Sequence, residues 1–101
     1  MSIKTRMAER LNSIFSPAAL EVLDESDRHK GHGGWREGGE THFRVRIVAD
    51  AFSGMSRVAR HRAINEAAAE FFAEGLHALA IEARTPDEPD PRARQVSQPA
   101  G

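Results

Sequence analysis

The chain contains no cysteine among its 101 residues. That absence excludes disulfides, a thiol nucleophile, and any zinc or iron–sulfur site built from its own thiolates. No apolar run approaches the length of a membrane span. The first residues, Met1-Ser2-Ile3-Lys4-Thr5-Arg6, lead into an amphipathic pattern rather than a continuous apolar stretch. The expectation is a cytoplasmic protein with no signal peptide and no membrane anchor. A strong charge of one sign is missing as well. Fourteen basic against 15 acidic residues leave a formal net charge of −1, which argues against a chain acting simply as a polyelectrolyte for nucleic acid. What remains is an ordinary apolar fraction of 40%, enough for one core and with little room for a deeply buried active site.

Ile3, Met7, Leu11, Ile14 and Phe15 follow helical spacing, with Ser2 placed to cap the start and Ser16-Pro17 to end the run. Leu20 to Glu25 reads as a strand. Asp27 to Glu40 holds five glycines together with His29, His32 and Trp35, the composition of a long loop, and long loops in compact domains commonly carry function. His42 to Ala49 alternates cleanly: Phe43, Val45, Ile47 and Ala49 share one face, His42, Arg44 and Arg46 the other. Asp50 to Met55 is a turn in which Gly54 supplies a positive φ. Ser56 is placed to cap a helix whose apolar stripe is Ile64, Ala67, Ala68, Phe71 and Phe72, with Gly75 to stop it. The basic segment Arg57 to Arg62 continues that stripe poorly and allows a short separate turn of helix ahead of it. His77 to Ala83 forms a third strand, with His77, Leu79 and Ile81 on one face. Beyond Thr85-Pro86 the prolines at 89 and 91 block regular structure. The expectation is therefore one domain over residues 1–86 and a disordered proline-rich tail over 87–101. The fold class is α+β: a two-layer domain with helices against a small three-stranded mixed sheet.

Two groups of side chains carry potential chemistry. The five histidines are His29 and His32 in the glycine-rich loop, His42 at the start of the second strand, His61 between two arginines, and His77 at the start of the third strand. Imidazole ligates borderline metals such as zinc, copper or iron, but a site needs several convergent ligands, and polar loops collect histidine readily. His77 is the more informative, because a strand's first position keeps a ring nitrogen reachable; a core histidine bonded to a carbonyl is the plainer alternative. The second group is Arg44, Arg46, Arg57, Arg60 and Arg62, which between Thr41 and Arg62 face only one acid, Asp50. Such a cluster can neutralise phosphates; it can equally be a solvated face paired to Glu66, Glu70 and Glu74. Gly31-His32-Gly33-Gly34 fits the glycine-x-x-glycine loop of KH nucleic-acid domains, but it lies between strands and offers no lysine or arginine, so the match is by chance. Ser53 and Ser56 lack a nucleophile-elbow context, and neither a His-Glu-x-x-His motif nor a phosphate loop is present. The sequence therefore reads as a binding protein rather than an enzyme.

Several short motifs, in order, resemble the BolA family: Asp24-Glu25-Ser26 after the first strand, Glu40-Thr41-His42-Phe43 opening the second, Phe52-Ser53-Gly54, Arg60-His61-Arg62, and His77-Ala78-Leu79 followed by Thr85-Pro86. They cover about Ile3 to Pro86. Each is weak alone, and the ordered set is quite specific. The resemblance implies an αββααβ fold similar to class II KH domains. It also implies partnership with a monothiol glutaredoxin around a shared [2Fe-2S] cluster, in iron–sulfur trafficking or iron regulation. The ligand it carries over is the histidine beginning the last strand, His77. The second ligand comes from the loop, at His29 or His32. Family members are also described as transcriptional regulators that bind DNA through the helix pair, which here would employ Arg44, Arg46, Arg57, Arg60 and Arg62. Two features depart from the family's pattern. Pro89 and Pro91 stand where a short helix usually follows, and the loop's second histidine and Trp35 leave the choice between His29 and His32 open.

On this reading the absent cysteine gains a meaning. The cluster's sulfur ligands come from the glutaredoxin, with glutathione supplied alongside it, and the isolated chain binds no cluster. Replacing thiolate by imidazole on iron raises the reduction potential. Because imidazole must be deprotonated to ligate, cluster sharing is expected to weaken in mild acid.

Overall fold

The computed structural model describes residues 2–25 and 41–90. His29, His32, Trp35, the glycine-x-x-glycine match and the tail beyond residue 90 lie outside the described residues.

Helix α1 spans Ile3–Phe15. It starts where expected, because the Ser2 hydroxyl accepts the Thr5 amide at 3.1 Å and satisfies one of the amides that a helix start leaves bare. It stops at Ser16, which takes a left-handed conformation (φ 45°) and donates its amide to Asn12 O, closing the last turn ahead of Pro17. Ile3, Met7 and Leu11 form its buried stripe, while Ile14 is exposed.

Strand β1 is Ala19–Asp24, β2 is His42–Val48 and β3 is Ala78–Arg84, in the spatial order β1-β2-β3. β1 runs antiparallel to β2, pairing Val22 with Val45; β3 runs parallel to β2, pairing His42 with Ala78 and Arg46 with Glu82. A parallel neighbour needs a crossover, and helices α2 (Arg57–Ala67) and α3 (Ala69–Ala73) supply it. Ser56 caps α2 by accepting the Ala59 amide at 3.1 Å.

The alternation of β2 places Phe43, Val45 and Ile47 toward the helices, where they meet Met7, Leu11, Ile64, Ala68 and Phe71 in one core. The other sheet face carries Arg44, Arg46, Glu82 and Arg84.

Three details differ from the sequence reading. The expected turn after β2 contains a single 3₁₀ turn, Asp50–Phe52, which sends Phe52 into the core, its ring centre 5.1 Å from that of Phe15. The helical break falls within the apolar stripe, at Ala68 (φ −95°, ψ 3°), instead of between the basic segment and that stripe. There the Phe71 amide bonds to Ala68 O, three residues back. That tighter turn shifts the phase of α3, so Phe71 is buried while Phe72 remains 37% exposed. Finally, β3 begins at Ala78, leaving His77 just outside the strand.

Candidate functional site

Parallel pairing of β2 with β3 in the register His42–Ala78 brings the starts of both strands to one corner of the sheet. The Thr41 carbonyl accepts two amides there, from His77 at 2.7 Å and from Ala78 at 3.0 Å. The end of β1 arrives at the same corner, since the Glu25 amide donates to His42 O at 2.7 Å. The chain thus leaves the described residues at Glu25, across β2 from His77, and returns at Thr41, whose carbonyl holds the His77 amide.

The His77 side chain is exposed. Next to it lies His42, only 6% exposed, with its ring centre 5.4 Å from that of His77 and the planes tilted by 52°. His42 Nδ1 sits 2.9 Å from the hydroxyl of Thr41, a hydrogen bond whose direction follows the histidine's tautomer. His61 is half-buried on α2.

Among the described residues no group of three or more His, Asp or Glu side chains converges well enough to hold a metal ion, and the chain has no thiolate. The imidazoles of His42 and His77 at the corner fall short of the number of converging ligands a metal site needs. Such a donor set suits an iron–sulfur cluster only if the remaining ligands come from elsewhere, and an exposed histidine at a strand start is accessible to them.

The arginines divide into two groups. On the open sheet face, Arg44 donates Nε to Glu25 at 3.0 Å and Nη1 to Glu82 at 3.1 Å, and its pKa is raised, chiefly through the Glu25 hydrogen bond. Arg46 bonds Glu82 at 3.2 Å and Glu21 at 3.4 Å. Arg44 and Arg46 thus alternate with three glutamates, and Arg84 on the same face pairs with Asp90, so the arginine charges of this face are met internally. Arg60, whose side chain is 11% exposed, donates to Met55 O and Ala83 O and grips both Glu88 oxygens at 2.6 and 2.8 Å. Arg57 and Arg62 remain exposed on α2.

The partners of these arginines are strand and C-terminal glutamates, not the helical ones expected from sequence. Glu74 instead holds Arg6 at 2.6 Å, and Glu70 pairs with Arg10. Sequence spacing indicates neighbours along one helix; it does not reveal strand register, which sets the pairs across the sheet. The same limitation hid His42, whose alternation puts it on the polar face but whose burial depends on what flanks the strand start.

A sheet of one antiparallel and one parallel neighbour, covered on one face by three helices, with histidines at a strand-start corner, defines a small α+β domain of the BolA fold. The chain belongs to the BolA-like protein family, whose model matches residues 11–88. It is 51% identical over 90 residues to an uncharacterized protein in the cobS 5′ region of a Sinorhizobium species, covering 88% of this chain and 97% of that one. The solved BolA domain of SufE1 from Arabidopsis thaliana superposes with a TM-score of 0.77 at 46% identity, covering 85% of this chain and 94% of that domain. The DNA-binding transcriptional regulator BolA of Vibrio cholerae is 38% identical, covering 85% of this chain and 77% of the regulator. Several relatives are longer: the chain spans 24% of the full SufE-like protein 1 and 54% of the chloroplastic BOLA1 of Arabidopsis.

Among the described residues no helix is long and apolar enough to cross a membrane.

Proposed function

We propose that this protein is a BolA-like adaptor that pairs with a monothiol glutaredoxin and shares a [2Fe-2S] cluster with it, in iron–sulfur trafficking or iron regulation. His77 donates one nitrogen from this chain. The second comes from His29 or His32, which lie in sequence between Glu25 and Thr41. Sulfur ligands come from the glutaredoxin and from glutathione. The observation that carries the reading is the exposed His77, anchored through its backbone to Thr41, in a family member that has no cysteine. A cluster ligated partly by imidazole has a higher reduction potential than an all-thiolate one.

Co-purification tests this. Tagged wild-type protein expressed with a monothiol glutaredoxin should retain the partner together with iron, and His77→Ala should lose the iron. Equal iron in both samples removes His77 from the ligand set, and no glutaredoxin with the wild type removes the partnership.

A second reading, DNA binding, is supported by the Vibrio cholerae relative, named as a DNA-binding transcriptional regulator, and by the two exposed arginines of α2, Arg57 and Arg62. It makes Arg44, Arg46 and Arg60 minor contributors, because each is already committed to carboxylates or carbonyls.

A further inference from the structure

The histidine beside His77 is unlike an ordinary core residue. Thr41 is 1% and His42 6% exposed, and a buried imidazole is costly to place unless its nitrogens are bonded. The Thr41 hydroxyl meets one of them, Nδ1, at 2.9 Å. The same residue's carbonyl accepts the amides of His77 and Ala78. Thr41 therefore fixes the His77 backbone from one side of its peptide and the His42 ring through its side chain. The His42 ring in turn lies 5.4 Å from the His77 ring at 52°, within the separation range of tilted aromatic pairs.

We propose that Thr41 and His42 are positioning residues for His77, holding an otherwise exposed imidazole in one orientation before any ligand meets it. The role rests on the reading of His77 as a ligand, but the contact itself is a property of the isolated chain. Its consequence is preorganisation: a side chain already held loses less freedom on ligation. Groups that orient a metal-ligating histidine are worth about 10- to 100-fold in affinity when removed.

Two measurements on three variants test this. His42→Ala removes ring and hydrogen bond together. His42→Phe keeps a ring without the nitrogen. Thr41→Val keeps the shape and backbone carbonyl but removes the hydroxyl, so it guards against loss of fold on truncation. The first measurement is the nuclear magnetic resonance of the His77 ring protons in the isolated chain at one fixed pH. The second is visible circular dichroism on titration with cluster-loaded monothiol glutaredoxin.

The expected result is that His42→Ala and Thr41→Val both displace the His77 ring resonances. Both should also raise the glutaredoxin concentration needed for half-maximal signal by about 10- to 100-fold, with His42→Phe intermediate. Unchanged His77 resonances in folded His42→Ala and Thr41→Val overturn the positioning role. So do displaced resonances with an unchanged titration. If the wild type itself gives no mixed-cluster signal, the cluster-sharing reading fails separately, and the resonances alone decide whether the pair positions His77.

Discussion

The Glu88 carboxylate ties the segment that follows β3 to helix α2. Both of its oxygens accept from Arg60, one also accepts the Thr85 amide at 2.9 Å, and the Glu88 carbonyl accepts from Arg84 at 2.8 Å. The Arg60 hydrogen bond first, then the Thr85 amide, lower its pKa from the ordinary 4.5 to about 2. A carboxylate whose pKa is depressed by folding stabilises the fold above its unfolded value, and that stabilisation is lost as pH falls toward the folded value. Glu88→Gln should therefore lower the urea midpoint at neutral pH, with the gap to wild type closing between about pH 4.5 and pH 2. A gap that stays constant through that window would show that the charge is not what holds the turn. The same clasp explains why Arg60 is poorly placed for an external phosphate: reaching one would cost it four internal hydrogen bonds.

At the scale of elements, α3 shows how a short helix can still be a keystone. Phe71 is buried, and the guanidinium groups of Arg6 and Arg10 on α1 lie 5.2 and 5.4 Å from its ring centre, with Glu70 and Glu74 pairing to the same arginines. Apolar burial and cation–π attraction act together there. Phe71→Ala should cost about 3–5 kcal/mol in chemical denaturation, whereas Phe72→Ala, on an exposed ring, should stay within about 0.5 kcal/mol. Similar losses for both would contradict the phase shift at Ala68. Much of this architecture is legible in the sequence, because α1 is written as Ile3, Met7 and Leu11 at four-residue spacing and β2 as strict alternation. The Phe52 contribution is not, since a single residue in a three-residue turn has no period to read. Nor is the Ala68 break: alanine favours helix, and no residue of the local sequence marks the tighter turn. At the site, His77 could be singled out by its place at a strand start and by family resemblance. Its contact with His42 depends on parallel register, and no spacing along the chain encodes that.

Over the whole molecule, charge is organised to neutralise itself. The open face of the sheet alternates Arg44 and Arg46 with Glu21, Glu25 and Glu82, leaving exposed cationic groups on α2 at Arg57 and Arg62. If the protein binds DNA, Arg57→Ala or Arg62→Ala should each reduce the magnitude of the salt slope by about 1, and Arg44→Ala should leave it nearly unchanged. The reverse order, measured by fluorescence anisotropy across a salt series, would place the contact on the sheet. The opposite corner, where three strands converge and His77 is exposed, carries the central claim that this domain contributes imidazole to a cluster whose sulfur belongs to another protein. The most direct measurement is visible circular dichroism on adding the chain to cluster-loaded monothiol glutaredoxin. Wild type should replace the glutaredoxin spectrum with a new one, and folded His77→Ala should fail to do so; identical spectra from wild type and His77→Ala would contradict the account.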